Sequence, residues 1–430
     1  MTAIAASLQA LPHAIFLHRA VDSKGVGPDS PRVQSRLAQG AFLVLRLIDQ
    51  LAPGLEQPDA DAFGYQWAAT ERFCRDFAKG TTEGAHLHGL ALSARAAATH
   101  KSAGLVIPGL FAYAHYLEDA LRLEETLDVL DTLLILTAGD GPPADRVALF
   151  LRIGRVRRKL NHFNEAEKAY TAAAEGARLT GDRYSEFLSA IGTAISLRSR
   201  GNLPEAERRL TLIAAEAERA GERDAQARAE HEMGVVLQHR GSPDTALLHT
   251  WRAFELYDHE GSRLRALNDV GVMLLTLGDV VGAERALTEV LRRDTVRDNV
   301  MNATIELMHC ASFRRDRMGF ERYRARCERL RATMPPNILA DYQLKVGIGE
   351  ARFGQYRRAA ASLEVALGAA EGAKLNAVVF KIERIRSGLS ACEELLRDVA
   401  DNAELGTAVE SEEVRSVSAS VANLVAAADL

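Results

Sequence analysis

The sequence predicts an all-α protein built as an α-solenoid of antiparallel helix pairs, and three observations predict it. Alanine and leucine dominate a composition with only 6% aromatics and 12 prolines, which favours helix over sheet. At 430 residues the chain exceeds what one compact core absorbs, so several domains or an open stack is required. A turn followed by a small residue recurs every 37–40 residues, the period of a helical repeat.

The turn inside each pair comes first. Asn161 sits in KLNHFNEAEKAY, Gly201 in SRGNLPEAERRL, Gly241 in HRGSPDTALLHT, Gly278 in TLGDVVGAERAL and Gly354 in RFGQYRRAAASL. The gap between the last two holds one more, degraded unit, with its turn near Asp316 in RRDRMGFERYRA. Five residues after each clear turn stands Ala166, Ala206, Ala246, Ala283 or Ala359. Seven residues before it stands Gly154, Ala194, Gly234, Gly271 or Gly347. Helices approach closely only where side chains are small, so each pair is expected to cross at these two positions. Large apolar residues such as Leu197, Leu203 and Leu210 flank them at amphipathic spacing. A second set of glycines marks expected joints between pairs: Gly181, Gly221 and Gly261, with Gly141 and Gly372 in comparable places.

At these residues the chain resembles tetratricopeptide repeats, over about 145–395. Its unit of 37–40 residues is longer than the 34 usual for that family. The proline that commonly closes a unit is replaced by Gly-polar joints. Units of this length look like those of bacterial helical-repeat regulators. The resemblance implies a right-handed superhelix whose first helices line a concave groove. Carried over from the small residue of each unit, the groove positions are Arg155, Arg158 and Lys159, then Arg198, then Arg228, His231, Gln238 and His239. Arg265, Asn268 and Arg314 continue the series. Arginine forks match carboxylates, and amides pair with an extended backbone. The alternative for these cations is internal pairing with neighbouring glutamates such as Glu230 and Glu232.

Towards the N-terminus, turns at Leu121 and Gly80, followed by Thr126 and Ala85, extend the phase as degenerate units over 61–144. Residues 1–60 contain one clear helix at 32–51 and are expected to form an N-terminal helical cap. The array proper covers 145–400 and closes on a helix at 380–400. Residues 401–430 are expected to be a mobile tail or a short amphipathic helix carrying Val414, Val417, Val421, Leu424 and Val425.

The chemistry-bearing motifs are missing. His231 and His239 are eight apart, about 12 Å along a helix, too far for one metal. His86 and His88 point in different directions. Gly347-Ile348-Gly349 lies in a helix without a preceding strand, so it is packing glycine and not a dinucleotide loop. Glu124-Glu125 and Glu412-Glu413 are ordinary solvated pairs. The four cysteines form no metal or redox spacing and read as buried thiols. No catalysis, cofactor or metal is expected. With a net charge of −5 and few aromatics, nucleic acid is not an expected partner. The N-terminus lacks a signal sequence and no run is long enough to span a membrane, so a cytoplasmic protein is expected. The functional expectation is an interaction scaffold or adaptor binding a protein or peptide, acidic in character, in the groove. The alternative is a sensor of a small peptide or signal ligand that controls a partner such as a transcriptional regulator. Homo-oligomers are compatible with either.

Overall fold

The computed structural model describes residues 11–21, 31–53, 59–138, 143–294, 296–331, 334–373, 375–395 and 411–428. Gly141 and residues 396–410 lie outside them. The described residues form helices joined by short turns. They group into two compact units, Met1–Ser196 and Leu197–Leu430.

The first unit begins with α1 (Ala14–Val21) and α2 (Pro31–Asp49). Three pairs follow: α3 and α4 (Ala60–Ala78, Thr82–His100), α5 and α6 (Ile107–Asp119, Leu123–Leu136), and α7 and α8 (Pro143–Lys159, Phe163–Thr180). Helix α9 (Arg183–Ser199) comes next. Leu37, Leu45 and Ile48 of α2 form one core with Leu87 and Leu90 of α4 and with Leu110, Tyr113 and Leu117 of α5. Helix α1 is absent from the sequence expectation because eight residues are too few to hold a helix by propensity. Tertiary contacts hold it instead. Phe16 is fully buried, and the Arg19 guanidinium meets Glu83 at 2.9 Å. The His13 imidazole sits between Asp49, at 3.1 Å, and Asp128. Burial opposes its charging, but the hydrogen bonds it donates to both carboxylates outweigh that and raise its pKa to about 9.

The second unit carries α10 (Leu203–Ala220) and four pairs: α11 and α12 (Arg223–Arg240, Pro243–Leu256), α13 and α14 (Glu260–Thr276, Val280–Arg293), α15 and α16 (Arg297–Phe313, Arg317–Leu330), and α17 and α18 (Pro336–Arg352, Tyr356–Gly372). Helix α19 (Asn376–Leu395) closes the stack. Helix α20 (Glu412–Ala428) packs on α12 and α14, burying Val414, Val417 and Val421.

The turns inside the pairs share one backbone device, a residue in the left-handed region, except that between α3 and α4, where Lys79 is right-handed and Gly80 has no positive φ. Gly201, Gly241, Gly278 and Gly354 adopt it, with φ of 83°, 84°, 89° and 72°. Leu121, Asn161 and Arg315 adopt it without glycine, at 55°, 62° and 54°. The degraded unit therefore keeps its turn, at Arg315. The next N–H reaches back to close the helix end, as Ser242 N does to Leu237 O at 3.0 Å and Asp316 N to Ala311 O at 2.9 Å. Asp279 and Asp316 then cap the following helix, each accepting from the backbone N–H three residues on.

The crossing differs from small against small. A Cβ on Gly271 would stand 2.7 Å from Leu287, and one on Gly347 2.8 Å from Leu363. Each glycine makes room for a large residue one turn past the expected alanine, while also nearing that alanine's carbonyl. Tyr170 uses two such gaps, facing Gly154 on α7 and Gly192 on α9. In the degraded unit Phe320 takes the alanine position, and Gly349 of α17 makes room for its ring. Gly347 and Gly349 are thus packing residues.

Two expected joints need correction. Gly181 and Gly221 end α8 and α10 at φ of 72°. Gly261 instead lies in the first turn of α13, because the chain leaves α12 through extended Tyr257. Gly372 is still helical, the last residue of α18.

An L side chain in the left-handed region costs about 1–2 kcal/mol, partly offset in the unfolded state when glycine replaces it. Arg315→Gly is therefore expected to raise stability by about 0.5–1 kcal/mol, and Gly241→Ala to lower it by about 1 kcal/mol. Urea unfolding of the two variants checks this; an Arg315→Gly chain less stable than the parent contradicts it.

Candidate ligand-binding face

The first helices of successive pairs carry charged side chains into the contact between neighbours, and the partner stands one repeat away. In the first unit Glu83, on the second helix of its pair, meets Arg122, in the turn of the next pair, at 2.7 Å. Glu118, only 1% exposed, receives Arg155 at 2.6 Å, Lys159 at 2.7 Å and Arg152 at 3.5 Å. Burial raises the pKa of Glu118, but these three cations together pull it below the usual carboxylate range. Arg158, beside them, hydrogen-bonds the Tyr170 hydroxyl. Two of the three groove cations predicted in this unit are thus tied to one glutamate of the preceding pair.

In the second unit the acidic partners sit two residues before the crossing position: Glu232, Asp269 and Glu306. Arg198 lies 3.4 Å from Glu232. His231 of α11 meets Asp269 of α13 at 2.8 Å. Lys345 of α17 meets Glu306 of α15 as well as Asp341, the latter at 2.6 Å. Burial disfavours the Lys345 ammonium, yet Asp341 and Glu306 hold it charged. Arg228 pairs within its own helix with Asp224 at 2.6 Å, and Arg314, at the end of α15, with Glu284 at 2.7 Å. Most predicted groove cations therefore have an internal counter-charge.

The structure also gathers predicted residues round one the sequence reading missed. Tyr257, 2% exposed, faces the charges of Arg265, which hydrogen-bonds its hydroxyl, and of Arg228. Its hydroxyl lies 3.4 Å from His231 Nδ1. Burial first raises the Tyr257 pKa, against those two cations. Asn268, one turn after Arg265 on α13, is 7% exposed, and its Oδ1 is buried without a hydrogen-bond partner among the described residues. Gln238 is half-buried and His239 exposed near the end of α11. Burial, then the Arg198 charge, lowers the His239 pKa.

Further along, His309 of α15 is half-buried, with a buried Nδ1 that has no hydrogen-bond partner among the described residues, and desolvation together with Lys345, Arg352 and Lys381 pushes its pKa far down. Arg352 stacks 3.6 Å over Phe313 and donates to Ser312 at 2.7 Å; burial lowers its pKa to about 10. His309 was missed because the degraded unit hides its phase, whereas Arg352 stands five residues after Gly347, the offset of Lys159 from Gly154, so the repeat itself could have found it. Among the described residues, no group of three or more His, Cys, Asp or Glu side chains could hold a metal. Cys74, Cys310 and Cys327 are buried free thiols, and burial raises the Cys74 and Cys327 pKa to about 12. The Cys392 side chain lies outside the described set.

With this geometry the chain can be compared with known proteins. No protein-family model and no curated protein sequence matches it. Among solved structures, the Rap conjugation gene regulator of the plasmid pLS20, in complex with the Phr* peptide, aligns at a TM-score of 0.52 and 12% identity, over 78% of this chain and 96% of that one. The fold is that of tetratricopeptide-like helical repeats. More distant in geometry are the apo quorum sensor NprR from B. thuringiensis and aspartyl phosphate phosphatase F from Bacillus subtilis. NprR aligns at a TM-score of 0.47 and 14% identity, over 79% of this chain and 87% of that one. The phosphatase aligns at 0.47 and 11%, over 86% and 96%. In the described part of this helical-repeat protein no helix is long and apolar enough to cross a membrane.

Removing one partner of a buried ion pair leaves the other uncompensated, at roughly 3–5 kcal/mol, whereas removing both costs far less. Lys345→Met is expected to destabilise by about that amount and Lys345→Met/Glu306→Leu by under about 2 kcal/mol. Denaturant unfolding measures the cycle; additive losses would mean that the two repeats are not tied there.

Proposed function

We propose that the protein is an interaction adaptor that takes an extended peptide segment of a partner along the first helices of its second unit. The observation that carries this reading is Asn268. Its buried carbonyl oxygen lacks a donor among the described residues, and the N–H of an extended peptide backbone is a donor of the kind it needs. Gln238, His239 and Arg265 stand on the same two helices and would flank the segment. Within that unit Arg198, Arg228, His231 and Arg314 would shape the walls rather than grip an acidic ligand, since they already have internal partners. Main-chain recognition by amides then leads, with charge in a secondary role.

A second reading, a sensor that binds a small peptide and passes the signal to a regulator, draws support from the like-folded Rap regulator, which was solved with the Phr* peptide. Both readings need the same peptide contact. Asn268→Leu separates that contact from stability. Replacing an unmatched buried acceptor with an apolar group should leave the unfolding midpoint unchanged or raised. Linear peptides selected on phage against the parent should bind the variant about tenfold more weakly, read by fluorescence anisotropy. Selected peptides that bind parent and Asn268→Leu equally would remove this reading.

A further inference from the structure

The first unit holds a cavity of about 830 Å³, well apart in sequence from the residues that carry the peptide reading. The end of α2, helix α3 and the end of α4 enclose it, and Leu51, Phe63, Gly64, Trp67, Arg95 and Lys101 are among its walls. That volume lies within the range of small-ligand sites, about 300–1,000 Å³. We infer that this cavity binds a small carboxylate with an aromatic or branched apolar body.

Three independent features fit that ligand. The first is charge. No acidic side chain lines the cavity among the described residues, while Arg95 and Lys101 both do. Neither cation has a carboxylate partner among the described residues, in a chain where ion pairs are frequent. Arg95 stacks 4.0 Å above the Trp67 ring. Stacking occupies the face of the guanidinium and leaves its in-plane N–H donors for a carboxylate.

The second feature is rigidity. Trp67 is fixed by donating its indole N–H to the Ala91 carbonyl at 2.8 Å. The Lys101 backbone is left-handed, φ 52°, with its own N–H capping α4, and its side chain is exposed. An aromatic wall with Arg95 stacked on it is therefore in place before any ligand arrives.

The third is Gly64. It lies inside α3, where glycine costs about 1 kcal/mol relative to alanine. Most helical glycines among the described residues relieve a close contact; Gly64, Gly89, Gly368, Gly372 and Gly388 do not, and of these only Gly64 lines the cavity. Packing does not require glycine there. Its absent side chain keeps the cavity open.

The test uses the full chain carrying Trp251→Phe, so that Trp67 is the sole tryptophan and its fluorescence reports on the cavity. The probe is 3-phenylpropionate, with its neutral amide as the control. The acid should give a saturable change, and the amide should bind at least about tenfold more weakly. Gly64→Leu should abolish the acid titration by filling the cavity, and Lys101→Gln should weaken it about tenfold while leaving the unfolding midpoint in place. If Gly64→Leu lowers that midpoint, Lys101→Gln decides alone. Equal binding of acid and amide, an unaltered titration in Lys101→Gln, or no saturable change up to about 10 mM overturns the inference. Because the readout is confined to the first unit, its failure leaves the Asn268 peptide reading standing, and the reverse holds.

Discussion

A charge buried between stacked hairpins needs a counter-charge, because water is excluded from the contact and an unpaired ion there costs several kcal/mol. Glu230 and Glu289 find theirs within their own helix pair, whereas other buried charges reach one repeat away. Glu83 with Arg122, Glu118 with Lys159, His231 with Asp269 and Glu306 with Lys345 all meet this demand across one unit boundary. These ties fix the register of one pair on the next. Apolar packing alone would allow the pairs to slide, because leucine and alanine fit many positions.

The same constraint shapes the working surface. A groove read as a row of arginines is a row of arginines already answered by carboxylates. What is left for a ligand is the amide of Asn268 and the half-buried polar residues near it. Two cations of the first unit that lack this answer, Arg95 and Lys101, stand together at one cavity. Across the molecule, the polar groups without partners point to recognition more clearly than the polar groups that are abundant.

Much of the fold was legible in the sequence because most of its turns require a left-handed residue and glycine is the usual solution. Gly201, Gly241, Gly278 and Gly354 announced themselves in this way, and Leu121 and Asn161 could be placed by phase. Arg315 carries the same angle without the glycine, so the degraded unit was located only approximately. The crossing was half legible. The glycines stood out, but the large residues they receive, such as Tyr170 and Leu287, look like any core residue. Helix α1 was invisible because His13, Phe16 and Arg19 hold it through residues far along the chain. The candidate site was the least legible part. Its cations could be counted from the repeat, but Glu118, Asp269 and Tyr257 answer them from 26 to 41 residues away, and local spacing does not reveal a partner at that range.

With most of the first helices' charges engaged internally, the proposed peptide would be held mainly through amides. The salt dependence of peptide affinity tests this most directly, because exposed charge–charge attraction is screened within about 8–10 Å at ordinary ionic strength. Between about 50 and 500 mM sodium chloride, the affinity of a selected peptide is expected to change by less than about threefold. A fall of about tenfold or more would show that free cations grip an acidic ligand, and would contradict the account.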